Sequence, residues 1–268
     1  MDAWQAMVLG VVQGLTEFLP ISSTAHLRLV PHVLGWTDPG AAVSAVIQLG
    51  TLLAVFVYFA ADVKRLVSAG VVSLWRRDLN HSPDARLAWA IVVGTLPIGV
   101  LGLTFKDFVE SGARSLALIA GALIVLGLLL LLAERLGRRT RTMAELGFWQ
   151  IQVIGLCQAL ALVPGCSRSG STIMGGLLLG LTREDAAYFS FLLSLPAVAA
   201  SGLLELHDLV KGGLAGEGLL YLGVAVVAAA VSGYATIGLL LRYLQRHGTY
   251  LFVIYRVALG IAILLSLR

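Results

Sequence analysis

A chain of 268 residues that is 58% hydrophobic and only 13% charged, with a mean hydropathy of +0.90, lies outside the range of water-soluble globular domains and belongs in lipid. Its net charge of +4 matches the surplus of Lys and Arg that membrane proteins carry in cytoplasmic loops, so it points to no nucleic acid partner. Two cysteines, Cys157 and Cys166, make neither a disulfide framework nor a zinc motif, and Cys157 reads as a packing residue.

From the N-terminus, the first apolar region, Ala3 to Val30, is broken by Glu17, Pro20, Ser22, Ser23, Thr24 and His26. It lacks the basic start of a secretory signal, and Gln13 and Glu17 stand where such a signal is apolar, so Met1 is expected in the mature chain. Uncharged stretches of spanning length follow at Ala41 to Ala61, Leu87 to Phe105 and Ser115 to Ala133. A second broken region, Leu146 to Leu181, carries Pro164, Gly165, Ser167, Arg168, Ser169 and Gly170. Three further spans run from Ala186 to Leu204, Leu219 to Leu241 and Thr249 to Leu267. The last contains Arg256, which is costly at that depth unless it faces protein interior or water. Each arm of the broken regions has about 14 residues and reaches roughly 21 Å against a hydrocarbon core of about 30 Å, so both regions read as helix–turn–helix hairpins. The expected fold is an all-α polytopic membrane protein with six full transmembrane helices and two re-entrant helical hairpins.

A shift of 145 positions lays Gly10 on Gly155, Gln13 on Gln158, Leu15 on Leu160, Ser22 on Ser167, Thr37 on Thr182 and Ala54 on Ala199, with Pro20 and Pro164 one residue out of step. A duplication is expected: a single membrane domain, residues 1–268, made of two repeats over about 1–140 and about 146–268. Each repeat holds one hairpin and three spans. Three is odd, and a hairpin returns to the side it entered, so the second repeat sits inverted relative to the first. This topology gathers Lys64, Arg65, Arg76, Arg77, Arg86, Arg135, Arg138, Arg139, Arg141, Arg183, Arg242 and Arg246 on one side and leaves Lys106, Arg114, Lys211 and Arg268 on the other. The richer side is cytoplasmic. The mouth of the first hairpin then faces outward, and the hairpin tips meet near the midplane.

The hairpins carry the chemistry. Gln13 and Glu17 are four apart and share a helix face, and Phe18-Leu19-Pro20 ends that helix just before Ser22-Ser23-Thr24. Ser22 or Ser23 caps the next helix, whose first turn offers free N–H groups and, at Thr24 and His26, further polar atoms; such an end attracts anions. The second hairpin repeats the arrangement as Pro164-Gly165-Cys166-Ser167-Arg168-Ser169-Gly170-Ser171-Thr172. Its glycines let backbone approach a ligand, and its guanidinium can fork onto phosphate oxygens. His32, His81, His207 and His247 fall in or beside predicted loops and are assigned nothing.

The stretches Gln13-Gly14-Leu15-Thr16-Glu17-Phe18-Leu19-Pro20-Ile21-Ser22-Ser23-Thr24-Ala25-His26 and Pro164-Gly165-Cys166-Ser167-Arg168-Ser169-Gly170 resemble the two signatures of the bacterial undecaprenyl-diphosphate phosphatases, the bacitracin-resistance type. The resemblance extends through Ile47 to Gly50, Phe189 to Pro196 and Tyr255-Arg256. It takes the uncharged option, Gln13, where the family has Glu or Gln, so one carboxylate stands there instead of two, and it has Ala25 and Cys166 for the more usual Gly and Thr. It implies hydrolysis of a polyprenyl diphosphate to the monophosphate at the outward face of the bacterial inner membrane, recycling the cell-wall carrier lipid. It also implies a divalent cation, magnesium or calcium, held through Glu17 with Gln13, and a homodimer. The implied catalytic set is Glu17, Ser23, His26 and Arg168. Ser22, Thr24, Gly165, Ser167, Ser169, Gly170, Thr172, Gln48 and Arg256 are the phosphate-binding candidates. Ser23 is favoured as nucleophile, losing its proton to Glu17 or His26, with direct activation of water by those groups as the alternative. His26 is either the general acid or a structural hydrogen-bond donor. A lipid-phosphate flippase or anion transporter of the same architecture is the rival from another class.

Overall fold

The structure, a computed structural model, describes residues 1–105, 115–214 and 216–267. Lys106, Arg114 and Arg268, three of the four cations assigned to the outward side, lie outside the described residues. Helix α1 (Ala3–Phe18) starts in a capping box: Gln5 N–H donates to the Asp2 carboxylate at 2.8 Å, and the Asp2 N–H returns to Gln5 Oε1 at 3.2 Å. It stops where Pro20 forces Leu19 into an extended conformation, φ −66° and ψ 138°. Helix α2 (Ser23–Leu34) follows the Ser22 cap and closes on Gly35, whose φ of 67° is the left-handed value that favours glycine.

Next come α3 (Gly40–Tyr58), α4 (Ala60–Trp75), α5 (Pro83–Thr104) and α6 (Leu116–Leu136). The second hairpin is α7 (Phe148–Ala159), a 3-10 turn (Leu160–Leu162) and α8 (Arg168–Leu178), with Pro164 holding Val163 extended as Pro20 holds Leu19. Then α9 (Arg183–Lys211), α10 (Glu217–Arg246) and α11 (Tyr250–Ser266) complete the order. No strand occurs among the described residues, so the chain is an all-α polytopic membrane protein.

The spans are borne out in outline, and one element is added to them. Among the described residues five helices, α3, α5, α6, α9 and α10, are long and apolar enough to cross a bilayer. The sixth expected span corresponds to α11, an apolar helix of 17 residues and about 25 Å, at the short end of spanning length. Between Ala61 and Leu87, where only a connection was expected, stands α4. Its Asp62, Lys64 and Arg65 exclude a span, yet it packs against α3 and α5 and exposes Val67, Val71 and Trp75.

The two halves of the chain interlock. Helix α1 packs on α10, α7 on α5, α3 on both α9 and α10, α5 on α9, and α6 on α11. Small residues allow the approach, as expected between helices in lipid. A Cβ on Gly10 would stand 2.3 Å from the Ala225 carbonyl oxygen, and one on Gly155 would stand 2.2 Å from that of Gly94. At one end of the bundle Glu134, fully buried, accepts from Arg183 Nε at 2.8 Å, Arg139 Nη1 at 3.1 Å and Thr249 Oγ1 at 2.9 Å. That carboxylate ties the end of α6 to the start of α9 and to the α10–α11 turn.

Candidate functional site

The sequence shapes both hairpin turns alike. Each proline makes the preceding residue extended, and the serine two or three residues later takes a left-handed conformation, Ser22 at φ 75° and Ser167 at φ 66°. For a residue with a Cβ this costs about 1–2 kcal/mol. In return each hydroxyl caps its helix: Ser22 Oγ accepts from Ala25 N–H at 3.4 Å and Ser167 Oγ from Gly170 N–H at 3.1 Å. The residues that open the two helices, Ser23 and Arg168, are thereby delivered to one cavity.

The turns touch directly. Gly165 N–H donates to Thr24 Oγ1 at 3.4 Å, Ser169 Oγ donates to the Leu19 carbonyl at 3.1 Å, and the Arg168 guanidinium pairs with Glu17 Oε1 through Nη2. The other oxygen of Glu17 accepts from Ser23 Oγ at 2.5 Å and from Gln13 Nε2 at 2.6 Å. Both partners of the ion pair are secluded, with side-chain exposures of 14% for Arg168 and 4% for Glu17. A buried pair survives only when its remaining donors and acceptors are met, which Gln13 and Ser23 do for the carboxylate. Arg168 Nη1 makes only a long contact, 3.4 Å, to the Ser194 carbonyl, and so can turn to a ligand.

The cavity they face has a volume of about 550 Å³. Glu17, Ser23, Thr24, Gln48, Ser167 and Arg168 supply polar lining, while Ile98, Leu103, Leu162, Val198 and Leu204, with several alanines and glycines, make apolar walls. The other candidates stand behind this surface. Gln13 is fully buried and braces Glu17. Ser22 contacts Thr24 (3.0 Å between hydroxyl oxygens), and Ser169 contacts Ser167 (3.1 Å). Gly165, at φ 100°, lies so close to the Ile119 carbonyl that a Cβ would sit 2.6 Å away, and Gly170 leaves room for Arg256. His26 is also off the cavity, with Nδ1 2.7 Å from the Ser22 carbonyl and Nε2 2.6 Å from the Tyr255 hydroxyl.

Arg256 and Thr172 lie off the cavity wall as well. Arg256 is wholly buried and directs its nitrogens at main-chain carbonyls: Nε to Leu123 at 3.2 Å, Nη1 to Pro20 at 2.9 Å, Nη2 to Gly165 at 2.9 Å and Cys166 at 3.2 Å. It ties the two turns together instead of facing a ligand. Thr172 lies one helical turn too deep; its hydroxyl donates back to the Arg168 carbonyl (2.8 Å) and meets Ser190 Oγ (2.5 Å). Tyr255 went unassigned in the sequence, where its one signal is standing beside Arg256.

Among the described residues no group of three or more His, Cys, Asp or Glu is placed to hold a metal ion. What the site does offer is one carboxylate and one orphaned acceptor, Gln13 Oε1, buried without a partner. Hard cations take oxygen ligands, and magnesium keeps to one or two carboxylates plus ligand phosphates. The donor set therefore fits a cation carried mainly by the oxygens of an anionic ligand and not one caged by protein.

Comparison with known proteins agrees with the motifs. The family model described as bacitracin resistance protein BacA matches residues 6–262. A protein from Chloroherpeton thalassium named undecaprenyl-diphosphatase is 52% identical over 275 aligned residues, covering 100% of this chain and 97% of that one. One of the same name from Myxococcus xanthus is 52% identical over 268 residues, covering 100% and 90%. A third, from Chlorobium chlorochromatii, is 51% identical over 272 residues, covering 98% and 96%.

Proposed function

The chain belongs to the bacitracin resistance protein BacA family, and from that premise we propose that it is an integral membrane phosphatase that hydrolyses undecaprenyl diphosphate to undecaprenyl phosphate and inorganic phosphate, recycling the cell-wall carrier lipid and conferring bacitracin resistance. One observation carries the reading: a serine hydroxyl donates to a carboxylate at 2.5 Å beside a buried arginine, on the wall of a cavity that is otherwise largely apolar. A polar cluster against apolar walls suits an anionic headgroup on a prenyl chain. A pure carrier of such a lipid needs the arginine but has no use for the serine–carboxylate pair.

In the proposed reaction Ser23 Oγ attacks the terminal phosphorus as its proton passes along the hydrogen bond to Glu17 Oε2. The phosphoanhydride bond breaks and undecaprenyl phosphate leaves. Arg168 neutralises the charge on the transferring group through nitrogens not engaged by Glu17, and the N-terminal turns of α2 and α8 add N–H dipoles. Water then cleaves the phosphoserine, inorganic phosphate departs, and the proton returns to Ser23. A divalent cation, held by Glu17 and Gln13 Oε1 with the diphosphate oxygens, would supply further charge neutralisation. Ser167 and Thr24, with Gln48 opposite, are the hydroxyl and amide contacts for the headgroup.

The charge pattern supports an inner-membrane site reached from the outward face. The cavity is lined by the first turns of α3, the last turns of α5 and the C-terminal part of α9, while Arg77, Arg86, Arg139, Arg183 and Arg246 mark the opposite ends of the bundle. The test is phosphate release by purified protein in detergent from a polyprenyl diphosphate with magnesium or calcium. Glu17→Ala, Ser23→Ala and Arg168→Ala are each expected to lose about 10²- to 10⁴-fold in kcat. Chelation of the cation should stop the reaction, and Gln13→Ala should lose less than Glu17→Ala because only the latter removes a charge. Undiminished release in the three alanine variants would overturn the site.

A further inference from the structure

Tyr255 on α11 takes no part in the cavity wall, yet its hydroxyl is 2.6 Å from His26 Nε2, and its ring stacks on the imidazole with 5.7 Å between centroids and 9° between planes. The opposite ring nitrogen, Nδ1, is 2.7 Å from the Ser22 carbonyl oxygen. A carbonyl only accepts, so Nδ1 carries a proton, and a neutral imidazole then accepts the Tyr255 O–H at Nε2. With both nitrogens taken and no exposure to the cavity, His26 is placed to hold something in position.

What it holds is the first turn. The Ser22 carbonyl accepts from both the ring and the backbone N–H of His26, the latter at 3.3 Å. Ser22 is the left-handed residue immediately before Ser23, whose hydroxyl must lie on Glu17. The second hairpin supplies an internal comparison. Ser167 takes the same left-handed shape there, but the position 145 residues after His26 is Ser171, whose buried hydroxyl has no partner. A left-handed serine turn therefore forms without an imidazole clamp. The clamp occurs on the turn that aims a hydroxyl.

We propose that Tyr255 is a positioning residue for the reaction: by holding His26 as the neutral Nδ1–H tautomer it fixes the Ser22 carbonyl, and with it the backbone that lays Ser23 Oγ on Glu17. Arg256, next in the chain, binds the carbonyl of Pro20 in the same turn, so one stretch of α11 sets both the path of that turn and its imidazole. The proposal rests on the phosphatase reading for its kinetic readout, but not for its structural one.

The test uses the full chain in detergent and the variant Tyr255→Phe, which keeps the ring and its stacking and removes only the hydroxyl. Three quantities are measured: kcat and KM on a polyprenyl diphosphate, the thermal midpoint, and the tautomer of His26 by solid-state NMR on ¹⁵N-histidine protein, with His26→Ala identifying the signal. The expected result is a fall in kcat of about 10- to 100-fold with KM little changed, an unaltered thermal midpoint, and loss of the uniform Nδ1–H form. The double variant Tyr255→Phe/His26→Ala should be no slower than His26→Ala alone. A kcat within about twofold of wild type, an unchanged tautomer, multiplying losses in the double variant, or a loss that simply follows a fall in thermal midpoint would each overturn the assignment. A wild type that releases no phosphate would sink the phosphatase reading instead, and the NMR comparison would still decide whether Tyr255 sets the state of His26.

Discussion

Arg168 and Arg256 bring the same group into the interior of the bundle and meet partners of different kinds. Arg168 faces a carboxylate and a cavity, whereas Arg256 faces carbonyls from Pro20, Leu123, Gly165 and Cys166. Removing Arg256 strands those carbonyls at about 1–3 kcal/mol for each that finds no water. Arg256→Leu should therefore lower the thermal midpoint in detergent sharply, and Arg256→Lys should rescue little, because one compact ammonium cannot span carbonyls of three segments. Full stability in Arg256→Leu would show that the carbonyls have other partners. The sequence reveals that an arginine at that depth needs an interior partner, but not which one. That depends on where two turns, 145 residues apart, come to lie, and no local pattern encodes it. Glu17, Ser23 and Arg168, which share one cavity wall, stand out in sequence because their chemistry is scarce in an apolar chain, whereas Thr172 lies off that wall, and a hydroxyl one turn further along a helix looks the same in one dimension.

At the scale of helices, the hairpins were legible because proline and serine act locally: each ends or starts a helix within a few residues of itself. Helix α4 was not, since its charges hide an amphipathic face that only packing against α3 and α5 discloses. Glycines within helices are likewise ambiguous until neighbours are known. Gly10 has the Ala225 carbonyl 2.3 Å and the Ala228 methyl 2.8 Å from where a Cβ would go, whereas Gly223 has nothing within 4 Å. Gly10→Ala should thus destabilise the protein by about 1–3 kcal/mol through forced separation of α1 and α10. Gly223→Ala should be neutral or stabilise by up to about 1 kcal/mol from helix propensity alone. Equal thermal midpoints for the two would remove close packing of α1 on α10 from the account.

For the whole molecule, composition and loop charge were sufficient to place it in a membrane, while the exchange of helices between the halves had to be seen. The orientation is checked with membrane-impermeant maleimide on intact cells: Thr37→Cys, at the exposed entry to α3, should label from outside, and Arg77→Cys, beyond α4, only after the membrane is opened. The opposite pattern would put the cavity on the cytoplasmic side. The place of Arg256 in the chain also bears on how the enzyme is made. A ribosome delivers the Pro20 turn first and the Gly165 turn much later, but the side chain that bonds to both arrives later still, in α11. A chain translated only as far as α10 therefore carries Glu17, Ser23 and Arg168 without the guanidinium that joins their two turns.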